Sequence, residues 1–190
     1  MGCPRRKRAW ATDATTRHAR STPSNGRDRG GNAGSVEPRV ELVRFPEGYG
    51  TPTVTLAWSD VQGRLIAAKQ YWLVTTRPSG APHVVPTDGI WHDDNFYFGG
   101  HPATVHLRNL EHNQRVAVHL ENATAAVIVE GNAERVTPSI ADARSLARSS
   151  KAKYGWGSSV DTYRAGVWRV APRRVLSWNE LHRDATRFSF

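Results

Sequence analysis

Residues Tyr71 to Leu120 read YWLVTTRPSG APHVVPTDGI WHDDNFYFGG HPATVHLRNL EHNQRVAVHL. Tyr71 to Thr76 is β-branched and aromatic, the composition of a strand. Pro78-Ser79-Gly80-Ala81-Pro82 is a turn, with Gly80 free to take positive φ. His83 to Trp91 is a second strand interrupted at Pro86. That residue lacks a ladder donor and belongs at an edge or a bulge. Asp93-Asp94-Asn95 turns the chain, Phe96-Tyr97-Phe98 is a third strand, and Gly99-Gly100 stops it. The short turns predict that these strands pair in sequence as a meander. Pro102 sits where a first helical turn starts, Leu107 and Leu110 give that helix an apolar side, and His112-Asn113 closes it. Arg115 to Glu121 alternates as a fourth strand.

Outward from this stretch, Pro38, Pro46, Gly48, Gly50 and Pro52 make residues 37–56 an irregular lead-in. Val61, Leu65, Ala68 and Trp72 fall at helical spacing. Ser59 followed by Gln62 fits a capping box, which predicts a helix over about 58–69. Ala125 to Val136 is a long strand with a bulge at Gly131. Residues 138–153 form a helix opening at Pro138-Ser139 and ended by Tyr154-Gly155-Trp156-Gly157. Val167 to Trp178 supplies one or two last strands around Pro172. Six or seven antiparallel strands and three helices make a mainly β protein, a small β-barrel with flanking helices.

Of the 190 residues, the first 36 carry eight Lys or Arg against Asp13 and Asp28. They hold +6 of the net +9 and leave +3 for residues 37–190. The basic charge is therefore no argument that the folded part binds nucleic acid. Residues 1–36 have few aliphatic residues and no apolar periodicity, and are expected to be a disordered basic tail. No apolar run of about 7–15 residues follows the charges, as a signal peptide requires, and no stretch is long enough to span a membrane. A soluble cytoplasmic protein is expected. The single Cys3 permits no disulfide.

The residues Leu73-Val74-Thr75-Thr76-Arg77-Pro78-Ser79-Gly80-Ala81-Pro82-His83-Val84-Val85-Pro86 carry a resemblance, together with Phe96-Tyr97-Phe98, Arg108-Asn109-Leu110 and Arg115-Val116-Ala117. So do Pro46–Pro52, Glu130-Gly131, Lys153–Trp156 and Ala185–Phe190. Over residues 40–190 the chain resembles the FMN-binding split β-barrel superfamily of pyridoxamine-phosphate oxidases. Within it, the chain is most similar to the actinobacterial branch of F420-dependent or flavin-dependent oxidoreductases. The resemblance implies a homodimer with two cofactor sites in its interface. It implies an isoalloxazine or deazaflavin ring on His83, Val84, Val85, Pro86 and Thr87. It also implies a cofactor phosphate held by Thr104, Val105, His106, Leu107, Arg108 and Asn109.

Such a cofactor, FMN or F420, needs amides and cations at its phosphate and an apolar platform under its ring. Thr104 offers a hydroxyl, Val105 and His106 offer helix-start amides, and Arg108 can fork onto a phosphate. Val84, Val85 and Pro86 supply the platform. The branch places Lys or Arg where Val105 and His106 stand, so this chain departs from it. If a protonated His106 compensates, affinity falls as pH rises above about 6.5. Plainer readings stand beside these. Thr104 is an N-cap, Asn109 a brace for the helix, and His83 and His119 are sheet residues. Trp91, Trp156, Trp168 and Trp178 are core or dimer contacts. His92, His101, His106 and His112 lack zinc spacing and a completing Cys or carboxylate set. No catalytic side chain or metal ligand is assigned, because hydride transfer needs mainly proximity and a dry site.

The function expected is an oxidoreductase that moves a hydride between a deazaflavin or flavin and a small organic molecule. Two alternatives are an FMN oxidase of the pyridoxamine-phosphate type and a non-enzymatic flavin, F420 or haem binder.

Overall fold

The computed structural model describes residues 37–190, so the expected tail lies outside the described residues. Nine strands are present: β1 (Arg39–Leu42), β2 (Tyr71–Thr76), β3 (Pro82–Thr87), β4 (Ile90–His92), β5 (Asn95–Phe98), β6 (Arg115–His119), β7 (Val127–Val136), β8 (Val167–Ser177) and β9 (Thr186–Ser189). Five helices accompany them: α1 (Trp58–Ala67), α2 (Val105–His112), α3 (Ile140–Tyr154), α4 (Val160–Arg164) and α5 (Leu181–Asp184). The sheet runs β1-β9-β8-β7-β6-β2-β3, all antiparallel, while β5 joins β4 to β8. This is the split-barrel architecture expected from the sequence.

The long β7–β8 ladder is the spine. Its register slips at Glu130/Gly131, where Gly131 faces Pro172. A Cβ on Gly131 would lie 2.2 Å from the Ala171 carbonyl oxygen. The bulge therefore needs glycine, and the proline, which has no amide to donate, sits where the ladder is already broken. Val129, Ala133, Val170 and Val175 from this spine pack with Leu73, Phe96, Leu110 and Phe188 in one core. A second cluster forms where Ala143 and Leu146 of α3 cover Ile90 and Tyr97.

Several local expectations need correction. The strand expected over His83–Trp91 is two strands, because the chain bends at Asp88-Gly89. Gly89 lies against the Phe96 ring so closely that a Cβ would fall 2.2 Å from it. The expected pairing in sequence is present, but in two separate pieces. β3 pairs with β2 and β4 with β5, but β3 and β4 are not neighbours, and β2 turns to β6 instead. Pro86 does lie on an edge strand, opposite Trp72. Helix α1 has no capping box. Ala57 is the N-cap, and the Gln62 amide bonds the Asp94 carboxylate rather than returning to the helix start. Helix α2 begins at Val105, three residues past Pro102, which lies in a turn. The lead-in contains β1, which pairs with β9.

Helix α3 behaves as its sequence suggests. Ser139 caps it by accepting from the Asp142 amide at 3.1 Å, and Gly155 ends it at φ 74°. Its last turn ties three elements together. The Lys153 ammonium donates to the Ala68 carbonyl at 2.8 Å and the Tyr71 hydroxyl at 2.9 Å. The Tyr154 hydroxyl accepts from the Gly89 amide at 2.9 Å. These bonds fix the Asp88-Gly89 bend, which forms one wall of the cavity described next.

Candidate cofactor site

A cavity of about 660 Å³ opens between the end of β3, the β5–α2 connection and the α3–α4 region. That volume falls in the range of small-molecule and cofactor pockets. Pro86 and Thr87 form a ledge on one side. Phe98, Tyr97 and Trp168 make an aromatic wall, and Tyr154 and Tyr163 close it from the helical side.

The pleat of β3 divides the residues expected to form the ring platform. Pro82, Val84 and Pro86 point outward, and Val84 is 50% exposed. His83, Val85 and Thr87 are half-buried, and Val85 packs on the core. A single platform of Val84, Val85 and Pro86 is therefore incorrect, because successive strand residues face opposite sides. Pro86 and Thr87 reach the cavity because it opens at the strand end.

Helix α2 begins at the margin of this cavity, which Leu107 and Glu111 line and Thr104, Val105, His106 and Arg108 do not. Thr104 occupies the N-cap position, yet its side chain makes no capping bond. Its hydroxyl lies 3.4 Å from His106 Nε2. Arg108 is the first residue whose amide reaches back into the helix, to the Thr104 carbonyl at 3.1 Å. The amides of Val105, His106 and Leu107 make no backbone hydrogen bond among the described residues. Three unpaired donors at the positive end of the helix dipole, beside the Thr104 hydroxyl, suit an anionic group.

The cations around that corner come from three places. His106 packs beside Gly100 and lies near the Phe98 ring, with 6.5 Å between ring centres. Burial, and then the neighbouring His83, push its pKa below the ordinary histidine value. His83 in turn lies 3.3 Å from the Arg77 guanidinium. Arg108 is exposed, one turn from Thr104 on the same side of the helix. The corner thus holds Arg77, His83 and His106, with Arg108 near the helix start. Arg77 was missed in the sequence because it reads as the first residue of a turn. Only the β2–β3 pairing brings it back onto His83.

Two expected residues face inward. Asn109 is buried at 3% exposure, and its amide donates to the Thr75 hydroxyl at 2.9 Å. It braces α2 against β2. Leu107 is a core residue whose side chain also reaches the cavity wall. The four histidines considered for zinc are not gathered. Instead, His92, Asp93 and Asp142 have ligand atoms within 4.8 Å of one another on the far side of β4, where Asp142 already accepts from Ser139 Oγ at 2.7 Å.

With this geometry in view, the family is clear. The pyridoxamine 5'-phosphate oxidase family model matches residues 59–179. The chain belongs to that family. No curated protein matches it in sequence. Among solved structures, a conserved hypothetical protein from Mycobacterium tuberculosis superposes with a TM-score of 0.56 at 20% identity, covering 68% of this chain and 88% of its own. A candidate 5-nitroimidazole antibiotic resistance protein from Bacteroides thetaiotaomicron superposes at 0.53 and 14% identity, covering 80% and 93%. An F420 reductase superposes at 0.45 and 21% identity, covering 59% and 93%, too loosely to bear on function. These likenesses establish the fold. Among the described residues no helix is long and apolar enough to cross a membrane.

Proposed function

We propose that this member of the pyridoxamine 5'-phosphate oxidase family is an oxidoreductase that binds FMN or F420 and serves hydride exchange with a small organic substrate. The observation that carries this reading is the start of α2, with its three unpaired amides, beside a cavity with an apolar ledge and aromatic wall. A phosphorylated flavin or deazaflavin needs such a pairing of anion corner and flat surface. When bound, the cofactor supplies the electron chemistry. The chain's own residues bind and orient it. The amides of Val105 to Leu107, the Thr104 hydroxyl and Arg108 hold the phosphate. The Pro86–Thr87 ledge and the Phe98–Trp168 wall exclude water.

The dimer expected from the resemblance also has support. The outward face of β2 and β3 carries Trp72, 37% exposed, and Val84. The Trp72 ring stacks on His119 at 6.3 Å. An apolar sheet face of this kind suits a second copy of the chain.

A non-enzymatic binder is the second reading, favoured by one feature. The helix start carries a depressed histidine where a permanent cation would hold phosphate more strongly. Titration of the purified protein with FMN, F420 and haem, beside His106→Lys, separates the readings. Tight binding of FMN or F420 with turnover of an acceptor supports the enzyme. Tight haem binding without turnover supports the binder, and binding of none of the three refutes both.

A further inference from the structure

Across β5, β8 and β7, three residues stand in one row. Phe98 pairs with Trp168, and Trp168 pairs with Arg135. Directly paired residues point to the same side of a sheet. Two residues along the ladder, Phe96, Val170 and Ala133 form the equivalent row, each fully buried in the barrel core. The Phe98–Trp168–Arg135 row therefore carries that layer to the rim of the barrel, where Arg135 is exposed, and all three residues line the cavity. The Phe98 and Trp168 rings stack, with centres 6.5 Å apart and planes 25° apart.

The state of Arg135 differs from that of two other arginines on the same ladder. Arg169 is ion-paired to Glu134 and Arg174 to Glu130. Arg135 has no carboxylate within ion-pair distance among the described residues. Its one hydrogen bond, at 3.4 Å, goes to the Ala165 carbonyl. The guanidinium lies across Gly166, at φ 120°, where a Cβ would fall 2.9 Å from Arg135 Nε. A side chain at that position would displace it, so the glycine keeps the guanidinium at the cavity edge. The acids on the cavity wall are committed or distant in sequence. Asp88 accepts from the Gln70 amide at 2.9 Å, and Glu111 is exposed on the last turn of α2.

We propose that Arg135 anchors the carboxylate of a flat conjugated acid whose body lies on the Phe98–Trp168 wall. The assignment of this acid as the substrate rests on the oxidoreductase reading above; its binding does not. A guanidinium matches a carboxylate as a two-pronged donor, and an unpaired arginine at the end of an aromatic slot selects for such a ligand. One cation, rather than a cluster, suits a monoanion over a phosphate dianion.

Trp168 and Trp156 line the cavity, so tryptophan fluorescence reports its occupancy. The test titrates wild type, Arg135→Gln and Arg135→Lys with 2-naphthoate, 2-naphthalenemethanol and 2-naphthyl phosphate at pH 7, with and without FMN. Wild type is expected to bind the naphthoate about tenfold or more tightly than the alcohol. The Gln variant should lose that preference, keeping its affinity for the alcohol, and the Lys variant should retain part of it. The alcohol's affinity thereby shows that the variant is folded and its slot intact. Equal affinities in wild type, a preference that survives in Arg135→Gln, or tighter binding of the naphthyl phosphate when FMN already occupies the start of α2 would overturn the proposal. Naphthoate discrimination without flavin binding would uphold Arg135 and sink the cofactor reading. Flavin binding without discrimination would do the reverse.

Discussion

The side-chain amide of Asn109 donates to the hydroxyl of Thr75 at 2.9 Å, and both residues are buried. This bond joins the middle of α2 to the C-terminal end of β2. Through it the helix start, with its unpaired amides, is held in register with the strand pair that forms the ledge.

Replacing Asn109 with Leu therefore breaks this tie. It leaves the Thr75 hydroxyl without a partner in the core, at a cost of about 1–3 kcal/mol. For a domain of this size the melting temperature should fall by roughly 2–4 °C per kcal/mol. The double change Asn109→Leu with Thr75→Val should recover part of the loss, which thermal melting by circular dichroism measures. A double variant no more stable than the single one would show that the bond is incidental.

Gly131 sits at the bulge of the spine, where a Cβ would lie 2.2 Å from the Ala171 carbonyl oxygen. The obstacle is backbone, which cannot rotate away. Gly131→Ala should destabilise the fold by roughly 1–3 kcal/mol, visible as a shifted urea midpoint. Gly80→Ala provides the contrast. That turn glycine has open space around it, and its only cost is the strain of φ 85°.

Lys153 makes stability depend on pH in a defined direction. Burial pushes its pKa down to about 8, whereas the unfolded chain keeps a lysine near 10.4. Between those values the unfolded state binds the additional proton, so this group makes stability rise with pH from about 8 upward. Above pH 10 Tyr71 opposes it, since burial raises the pKa of that phenol. Chemical denaturation between pH 7 and 9.5 should show the rise in wild type and a flatter profile in Lys153→Met.

His106 sets the pH dependence of phosphate binding. Its pKa is depressed by burial and by His83, so the free protein holds it neutral at pH 7. A bound phosphate raises that pKa by favouring the charged form. Affinity should then fall as pH rises through the window between the free and bound values. That window opens below 6.5, lower than the unmodified histidine value anticipates. Dissociation constants from pH 5 to 8, expressed relative to His106→Lys to remove the cofactor phosphate's own titration, check this. A constant ratio would exclude the role.

The fold was legible where local pattern and partner choice coincide. Tyr71–Thr76, the Gly131 bulge and the Ser139-capped helix are read directly from residue type. The sequence-adjacent pairings of the meander were legible too, but short turns specify hairpins, not where each hairpin goes. Nothing local in Asn95–Phe98 says that its partner is Val167–Ser177 across some seventy residues. β1 and β9 are four residues each and pair at the sheet margin, too short to show a period against their flanks. The anion corner was half legible. Thr104 and His106 announce themselves at a helix start, but Arg77 and His83 join them only through strand pairing. Arg135 was invisible as a site residue because its meaning depends on standing opposite Trp168 and over Gly166.

The central claim is that the start of α2 holds the phosphate of a flavin-type cofactor. The most direct measurement compares FMN with riboflavin, and F420 with its phosphate-free deazaflavin core, by fluorescence titration of the wild-type protein. The phosphorylated member of at least one pair should bind about tenfold or more tightly, since a charge-assisted phosphate contact is worth ~1.5–3 kcal/mol. Arg108→Gln should narrow that gap. Equal binding of the phosphorylated and phosphate-free forms in both pairs, or no binding of either, would contradict the account.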